Sequence, residues 1–335
     1  MERVTLTKTR LATLADVAEH AGVSTSTVSL FINGKLHRMG KETQTKIAHA
    51  LDAVGYTMDP IARSLSTGKT MTIGLAWDAS NYEYDFEDVY FMYFAKMVAN
   101  ALSLHDYSLT LVDLQDLKTK SRMMDGLIIK ATSTTWEDVA ELKRLSPALP
   151  IVSLGKFGGE SHVPSVSVDD IGAGKAGIEL LATKHDRIHL LSFPAGRIVG
   201  FDERVEGAVA AADKLGVALS IEYGEMSEEF GEEVVARRHR VGTLPHALFC
   251  LNDITAVGAL RAARDLGIAV PEQLSILGVD DTPSISYCLG LSTIRHPIGD
   301  LANAAVATVL WGIEHPLQEG QGAVLGTKIM VRSTT

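Results

Sequence analysis

The sequence predicts an α/β protein in two parts. A small all-α module with a helix-turn-helix comes first, followed by a larger core of two lobes, each a parallel sheet flanked by helices. Three observations predict this. Residues 13–33, TLADVAEHAGVSTSTVSLFIN, read as two short helices around a glycine turn. From Thr72 onward, apolar strand runs alternate with helical patterns, the mark of parallel sheets covered on both faces. In a chain of 335 residues, about 265 follow the first module, enough for two such lobes with a cleft between them.

The first helix is expected over 14–20, with Ala15, Val17, Ala18 and Ala21 as its small apolar face. Gly22 supplies the positive φ of the turn. Ser24 is a suitable N-cap, because its hydroxyl can satisfy an orphan amide of the next helix. That second helix turns Val28, Phe31 and Ile32 inward at i, i+3, i+4 spacing and leaves Thr25, Ser26, Ser29 and Leu30 outward. Small hydroxyl side chains at the exposed start of a helix suit a DNA major groove, where base edges offer donors and acceptors. A plain helical hairpin has the same spacing. A loop over 34–40 carries Lys35, His37 and Arg38. A third helix over 41–54 buries Ile47, Leu51 and Val54 and ends at Gly55. Its Lys41 and Lys46 can reach phosphates. So few residues make a small core and a marginally stable module.

Pro60, capped by Asp59, can open a short helix over 60–66 that is too short to hold itself in isolation. Gly68-Lys69-Thr70 looks like the tail of a phosphate loop, but the first glycine is missing and a strand follows. Strands are expected over 72–77, 109–112, 126–129, 151–154, 166–168, 188–192, 247–250 and 275–279. Helices are expected over 89–104, 136–145, 171–182, 201–215, 227–239, 253–266 and 298–312. Between Val112 and Gly126 there is room for only a short helix.

Charge is uneven. The formal net charge is -10, yet residues 1–70 hold nine Lys/Arg against six Asp/Glu. A mildly basic end on an acidic body fits one module that meets phosphates. Met1 to Ala12 is a polar arm with Arg3, Lys8 and Arg10. Cys250 and Cys288 lie in apolar contexts without metal-ligand spacing, so a reducing cytoplasm is expected and no metal or cofactor. No secretory leader core and no run of 18 apolar residues are present, so no membrane span is expected.

Ligands of open parallel sheets bind at the C-terminal ends of strands. Several polar residues fall there: Asn252 and Asp253 in Asn-Asp-x-x-Ala-x-Gly, Asp280 and Asp281 in Gly-Val-Asp-Asp, and Arg204 in Arg-x-x-Gly. An arginine fork, an amide and a carboxylate together can bind a polyol's hydroxyls or the edge of a base. Asp253 and Asp281 read as caps of the following segments. Asp280 is open to the same role. The stretch with Trp77, Tyr82, Tyr84, Phe86, Tyr90 and Phe91 is the most aromatic in the chain. It can stack on a ring or serve as core.

Thr13-Leu14-x-Asp16-Val17-Ala18-x-x-Ala21-Gly22-Val23-Ser24, Thr27-Val28-Ser29, Asn33 and Ala62-Arg63-Ser64-Leu65 resemble the headpiece of the lac repressor (LacI/GalR) family of bacterial transcription regulators. Fragments of that family's ligand-binding core recur downstream, so the resemblance spans nearly the whole chain. It implies a headpiece over 1–58, a hinge over 59–70 and a periplasmic-binding-protein-like core over 71–335. The N-lobe would be about 71–164 and 291–322, and the C-lobe about 165–290 and 323–335. Crossovers are then expected near Pro164, Gly290 and Gly322. The resemblance implies DNA contacts by Thr25, Ser26, Ser29, Leu30, Asn33, Arg63 and Leu65, with Leu65 as a minor-groove wedge. It implies effector contacts by Asp78, Arg204, Asn252, Asp280 and His296.

There are departures from the family. Leu30 stands where arginine is usual, and His296 where glutamine is common. Met58-Asp59 replaces Pro-Asn. Lys156 follows a strand where a sugar-binding member may show a carboxylate. The expected protein is a cytoplasmic homodimer that represses transcription by binding a pseudo-palindromic double-stranded operator and answers to a sugar-like effector, with induction and corepression both open. The competing expectations are a two-lobe solute-binding protein and a sugar- or nucleotide-metabolising enzyme. No serine elbow, metal cluster or complete phosphate loop supports the enzyme.

Overall fold

The computed structural model describes residues 12–57, 64, 67–77, 89–131, 135–157, 162–318 and 320–335, with side chains except at Trp77, Thr135 and Ser284. Two compact units result, Met1–Thr70 and Met71–Thr335.

In the first unit, α1 is Leu14–Ala21, α2 Thr25–Ile32 and α3 Lys41–Val54. Thr13 and Asp16 form a capping box at the start of α1, and Gly22 ends it at φ 65. Ser24 caps α2 by accepting from the Thr27 amide. Val17, Ala18, Ala21, Val28, Ile47 and Ala50 are the buried core, with Phe31, Ile32, Leu51 and Val54 half-buried around it. The loop after α2 contains a 3-10 turn, Leu36–Arg38, held by the Gln44 amide, which donates to Leu36 O and Met39 O. The short hinge helix expected over 60–66 lies outside the described residues apart from Ser64.

The second unit holds two six-stranded sheets. The first has β1 (Thr72–Trp77), β2 (Ser108–Asp113), β3 (Gly126–Lys130), β4 (Ile151–Leu154), β5 (Ser165–Val168) and, late in the chain, β11 (Ala323–Leu325). It is parallel throughout, in the order β11-β5-β4-β3-β1-β2. Helices α4 (Val89–Ser103) and α6 (Thr135–Leu145) cover it, with α11 (Ile298–Glu314) beside α4. The segment after β2 forms 3-10 turns around a one-turn helix, α5 (Leu117–Lys120), matching the limited room there. The second sheet runs β12-β10-β9-β8-β6-β7. Its strands are β6 (Arg187–Ser192), β7 (Ala218–Tyr223), β8 (Ala247–Cys250), β9 (Ser275–Asp280), β10 (Ser292–Arg295) and β12 (Lys328–Met330). Only β12 is antiparallel to its neighbour. Helices α7 (Asp170–Leu181), α8 (Val199–Leu215), α9 (Glu228–Arg240) and α10 (Asp253–Asp265) cover it.

The lobe crossings correct the expectation. Ser165–Val168 belongs to the first sheet, Ser292–Arg295 to the second and Ala323–Leu325 to the first. The chain therefore changes lobes after Val168, Arg295 and Leu325, not near Pro164, Gly290 and Gly322. Those three breakers stand just before strands, and each strand completes its ladder before the chain crosses. All three crossings thus leave from C-terminal strand ends, where the cleft lies. Strands β7, β10, β11 and β12 were not among those expected. β7, β11 and β12 are half-exposed or very short, and β10 is mostly polar in sequence (Ser-Thr-Ile-Arg), so each gives little apolar signal.

Two helix pairs of the second lobe touch backbone to backbone. A Cβ on Gly174 would lie 1.9 Å from Arg204 O, and one on Gly207 would lie 2.0 Å from Ile171 O, so α7 and α8 cross at glycines. Gly231 and Gly258 do the same for α9 and α10, meeting Thr255 O at 2.0 Å and Glu228 O at 1.8 Å. We expect Gly207→Ala to lower stability by about 1–3 kcal/mol in urea unfolding, because backbone must separate. Gly299→Ala, with open space around it, should be neutral or slightly stabilising.

Candidate functional site

The polar residues at the strand ends of the second lobe converge on one buried guanidinium. Arg204, on the first turns of α8, is 6% exposed. Its Nε donates to Asp170 Oδ1 at 2.6 Å and its Nη1 to Leu251 O at 2.7 Å. Its Nη2 lies 3.4 Å from His296 Nε2, and its plane sits over the Phe201 ring. Burial works against its charge, but Asp170 and Asp280 more than offset that and raise its pKa. Burial raises the Asp170 carboxyl while Arg204 opposes the shift.

His296 follows β10 at a lobe crossing. Burial, with Arg204 beside it, pushes its pKa well below the usual value, so the imidazole is neutral. Nε2 facing a guanidinium must accept, which places the proton on Nδ1. Nδ1 lies 3.3 Å from the Tyr90 hydroxyl of the first lobe and 3.6 Å from Asp280 Oδ1. The Tyr90 and His296 rings meet edge to face at 5.7 Å. Asp280 ends β9 at φ 122 and Asp281 follows at φ 55, both in backbone conformations that L side chains rarely adopt.

Asn252 is the N-cap of α10: its Oδ1 accepts from the Thr255 amide at 3.2 Å. Among the described residues its amide nitrogen has no partner. It lies beside Ser192, Phe193, Phe201, Glu225 and Met226. Arg204, Asn252, Asp280 and His296 are thus gathered as expected, while Asp78 lies outside the described residues.

Two neighbours do not act as the expected caps. Asp253, buried, accepts from the Thr293 and Ser286 hydroxyls, both at 2.6 Å, and from the Thr282 amide at 3.3 Å. It ties the loop after β9 to β10, and burial raises its pKa to about 6. Asp281 pairs with Arg295 at 2.6 Å and Arg332 at 2.7 Å. The cap is Asn252 instead, because its side chain comes one residue earlier, at the helix boundary.

Three contributors were missed. Asp170 neutralises Arg204. Lys156 of the first lobe and Glu203 of the second form an ion pair of 2.7 Å across the cleft. The demand of a buried arginine for a carboxylate is a signal for Asp170, but sequence does not say which carboxylate is near. Of the aromatic stretch, Phe91 is core and Tyr90 reaches the site. Tyr82, Tyr84 and Phe86 lie outside the described residues. Among the described residues no group of His, Cys, Asp and Glu is placed to hold a metal, and no helix is long and apolar enough to cross a membrane.

In the N-terminal unit, Thr25 and Ser26 are exposed at the start of α2, and Ser29 and Leu30 are half-buried rather than fully outward. Ser24 Oγ lies 2.7 Å from Ser26 Oγ and 2.8 Å from Thr27 Oγ1. Asn33 turns its amide back onto α2, so that nitrogen is engaged within the helix. Lys35, Arg38 and Lys41 are exposed on the loop and helix that follow. Arg63 and Leu65 lie outside the described residues.

Residues 13–59 match the domain described as bacterial regulatory proteins, lacI family, and residues 179–335 a periplasmic binding protein-like domain. The chain is 29% identical over 343 residues to the HTH-type transcriptional regulator MalR of Streptomyces coelicolor, covering 96% of each. The lac repressor dimer bound to operator and the anti-inducer ONPF is similar at a TM-score of 0.80 and 23% identity, over 97% of this chain and 99% of that one. A complex of the transcriptional regulator CelR with cellobiose is similar at 0.70 and 23% identity, over 97% and 100%. At such identities the two structures speak for the fold.

Two outcomes follow from the buried array. Asp170→Ala should cost about 3–5 kcal/mol in denaturant unfolding, because it strands a buried charge. His296 has a folded pKa below its unfolded value near 6.5, so its contribution to stability is present above about pH 6.5 and is lost as pH falls below that. Unfolding free energies of His296→Gln measured from pH 7.5 to 5 should show a shallower acid loss than those of the wild type.

Proposed function

The chain belongs to the lacI family of bacterial regulatory proteins, and on that premise we propose that it is a cytoplasmic, ligand-responsive repressor that binds a pseudo-palindromic operator as a homodimer. A DNA-binding domain joined to an effector-binding domain makes it a transcriptional regulator, not an enzyme. The observation that carries the ligand response is the Arg204 array at the lobe crossings, where a neutral His296, Asp280 and the Asn252 amide offer both donors and acceptors. Such a set suits the hydroxyls of a sugar-like effector, and the CelR–cellobiose complex supports that class.

Residues 1–58 form the headpiece in this proposal, and 59–70 the hinge. Each headpiece reads one half-site, which is why two copies and a near-palindrome are needed. Thr25, Ser26, Ser29 and Leu30 face the bases. Arg63 and Leu65 serve the minor groove, and Asp78 completes the effector site from the first lobe. The operator-bound lac repressor dimer supports this assignment.

Regulation works by the angle between the lobes. An effector seated in the cleft favours one angle, and the hinge segments follow. Lys156–Glu203 and Tyr90–His296 already join the lobes, so the effector acts on a cleft with its own bias toward closure. A solute-binding protein shares the two-lobe body but has no use for a helix-turn-helix.

Leu30 cannot make arginine's two hydrogen bonds to guanine, but it can pack on a thymine methyl. Selection of binding sites from random duplexes should therefore yield a different preferred base pair for Leu30→Arg, and an unchanged site would contradict the placement of Leu30. Glu203→Gln should weaken effector affinity about two- to fivefold at low salt, the scale of a partly exposed ion pair. Calorimetric titration at high salt should erase that difference.

A further inference from the structure

Strand β9 ends in a bend that is costly for the residues in it. Asp280 stands at φ 122 and Asp281 at φ 55. Among the described residues five non-glycine positions have a positive φ, and these two are the only adjacent pair. Glycine enters that region freely, while a residue with a side chain is strained there. Such strain persists only where the surroundings over-determine it, and it gathers at ligand clamps. Here the surroundings are ionic. The buried Asp281 carboxylate takes Arg295 Nε at 2.6 Å on one oxygen and Arg332 Nη2 at 2.7 Å on the other. Arg295 ends β10. Arg332 comes from the segment after β12, where its Nη1 also donates to Leu291 O at 2.6 Å. The backbone is pinned on either side of the pair: the His296 amide donates to Asp280 O at 3.1 Å, and the Thr282 amide to Asp253 Oδ2 at 3.3 Å. In this bend one Asp280 oxygen accepts from the Asp253 amide at 3.4 Å, and the other lies 3.6 Å from His296 Nδ1.

We propose that Arg295, Asp281 and Arg332 form a positioning clamp for effector recognition: they hold the chain at Asp281 in the left-handed region, and that bend sets the Asp280 carboxylate beside His296. The proposal rests on the Arg204 array being the effector site. Asp281 and Arg332 act through Asp280 and make no effector contact of their own. With the clamp gone, a residue with a side chain at position 281 relaxes to a negative φ. That turns the peptide joining it to Asp280 and carries the carboxylate away from the array. Glycine at this position needs no clamp, because a φ of 55 does not strain it. Effector affinity thus comes to depend on an arginine in the segment that returns last to the second lobe.

The test uses the full chain. Cellobiose, ribose, sugar phosphates, polyols and purines are screened against the wild type by thermal shift. The compound with the largest shift is then titrated calorimetrically into each variant. Asp281→Ala should weaken binding about tenfold or more, the scale of one strained residue set free. Asp281→Gly loses the same ion pairs but should stay within about threefold of the wild type, because only backbone freedom is added. A role confined to stability would lower the melting temperature of both variants and leave both affinities unchanged, which overturns the proposal. An equal loss of affinity in the two overturns it as well, because the ion pairs and not the bend would then matter. Should Asp281→Ala fail to fold, Arg332→Met decides, since Arg332 is the less exposed of the two arginines. Alone it should weaken binding about three- to tenfold, within the coupling range of residues in one ion-pair network. In the Asp281→Gly background it should cost nothing further, and an equal loss in both backgrounds overturns the clamp. If no compound shifts the wild type, the effector-site reading fails before any variant is compared.

Discussion

The Arg204 guanidinium sits almost wholly out of water, and a charge in that position needs partners from every side. Each comes from a different element: Asp170 from the start of α7, Leu251 O from the end of β8, His296 from the crossing after β10, and the Phe201 ring from α8 itself. Those elements cannot shift independently without stranding the charge. The same contacts define the floor of the cleft, because all of them lie at C-terminal strand ends. His296 extends the array to Tyr90 in the other lobe, so one guanidinium links the interior of the second lobe to the boundary at which the lobes meet.

Backbone contacts hold that geometry in place. Gly174 and Gly207 let α7 and α8 approach until a carbonyl fills the space of a side chain, and this sets Asp170 within 2.6 Å of Arg204. Gly231 and Gly258 do the same under Asn252. Asp253 adds a third fixed point by gathering Ser286, Thr293 and the Thr282 amide around one carboxylate. Its raised pKa reflects the cost of that burial, which three hydrogen bonds only partly offset.

Most of the fold was legible because periodicity and punctuation agreed. Helix α3 and strands β1, β4 and β8 have the expected ends, since apolar runs there are bounded by glycine, proline or a polar cap. The lobe crossings were misplaced because a breaker marks where a strand begins, and the ladder that follows is a long-range fact. Within the site, Arg204, Asn252, Asp280 and His296 were legible from strand-end position and family motif. Asp170 and the Lys156–Glu203 pair were not, because each joins residues more than thirty positions apart through tertiary packing. Asp253 and Asp281 illustrate the same limit: local sequence suggests a cap, while the fold supplies hydroxyls to one and two arginines to the other.

The central claim is that the Arg204 array binds a small polar effector, and Asn252 offers the cleanest probe of it. Serine at that position can keep the N-cap oxygen but removes the amide nitrogen that has no internal partner. The direct measurement is a thermal-shift titration of the full-length wild type and Asn252→Ser with cellobiose, ribose, sugar phosphates, polyols and purines. Ligand at 100 times its dissociation constant stabilises by about 2.7 kcal/mol, a readily visible shift. The account predicts that a sugar or polyol raises the melting temperature of the wild type, and that Asn252→Ser melts at a similar temperature without ligand but responds far less to it. An equal response in both proteins, or stabilisation by none of these classes, would contradict it.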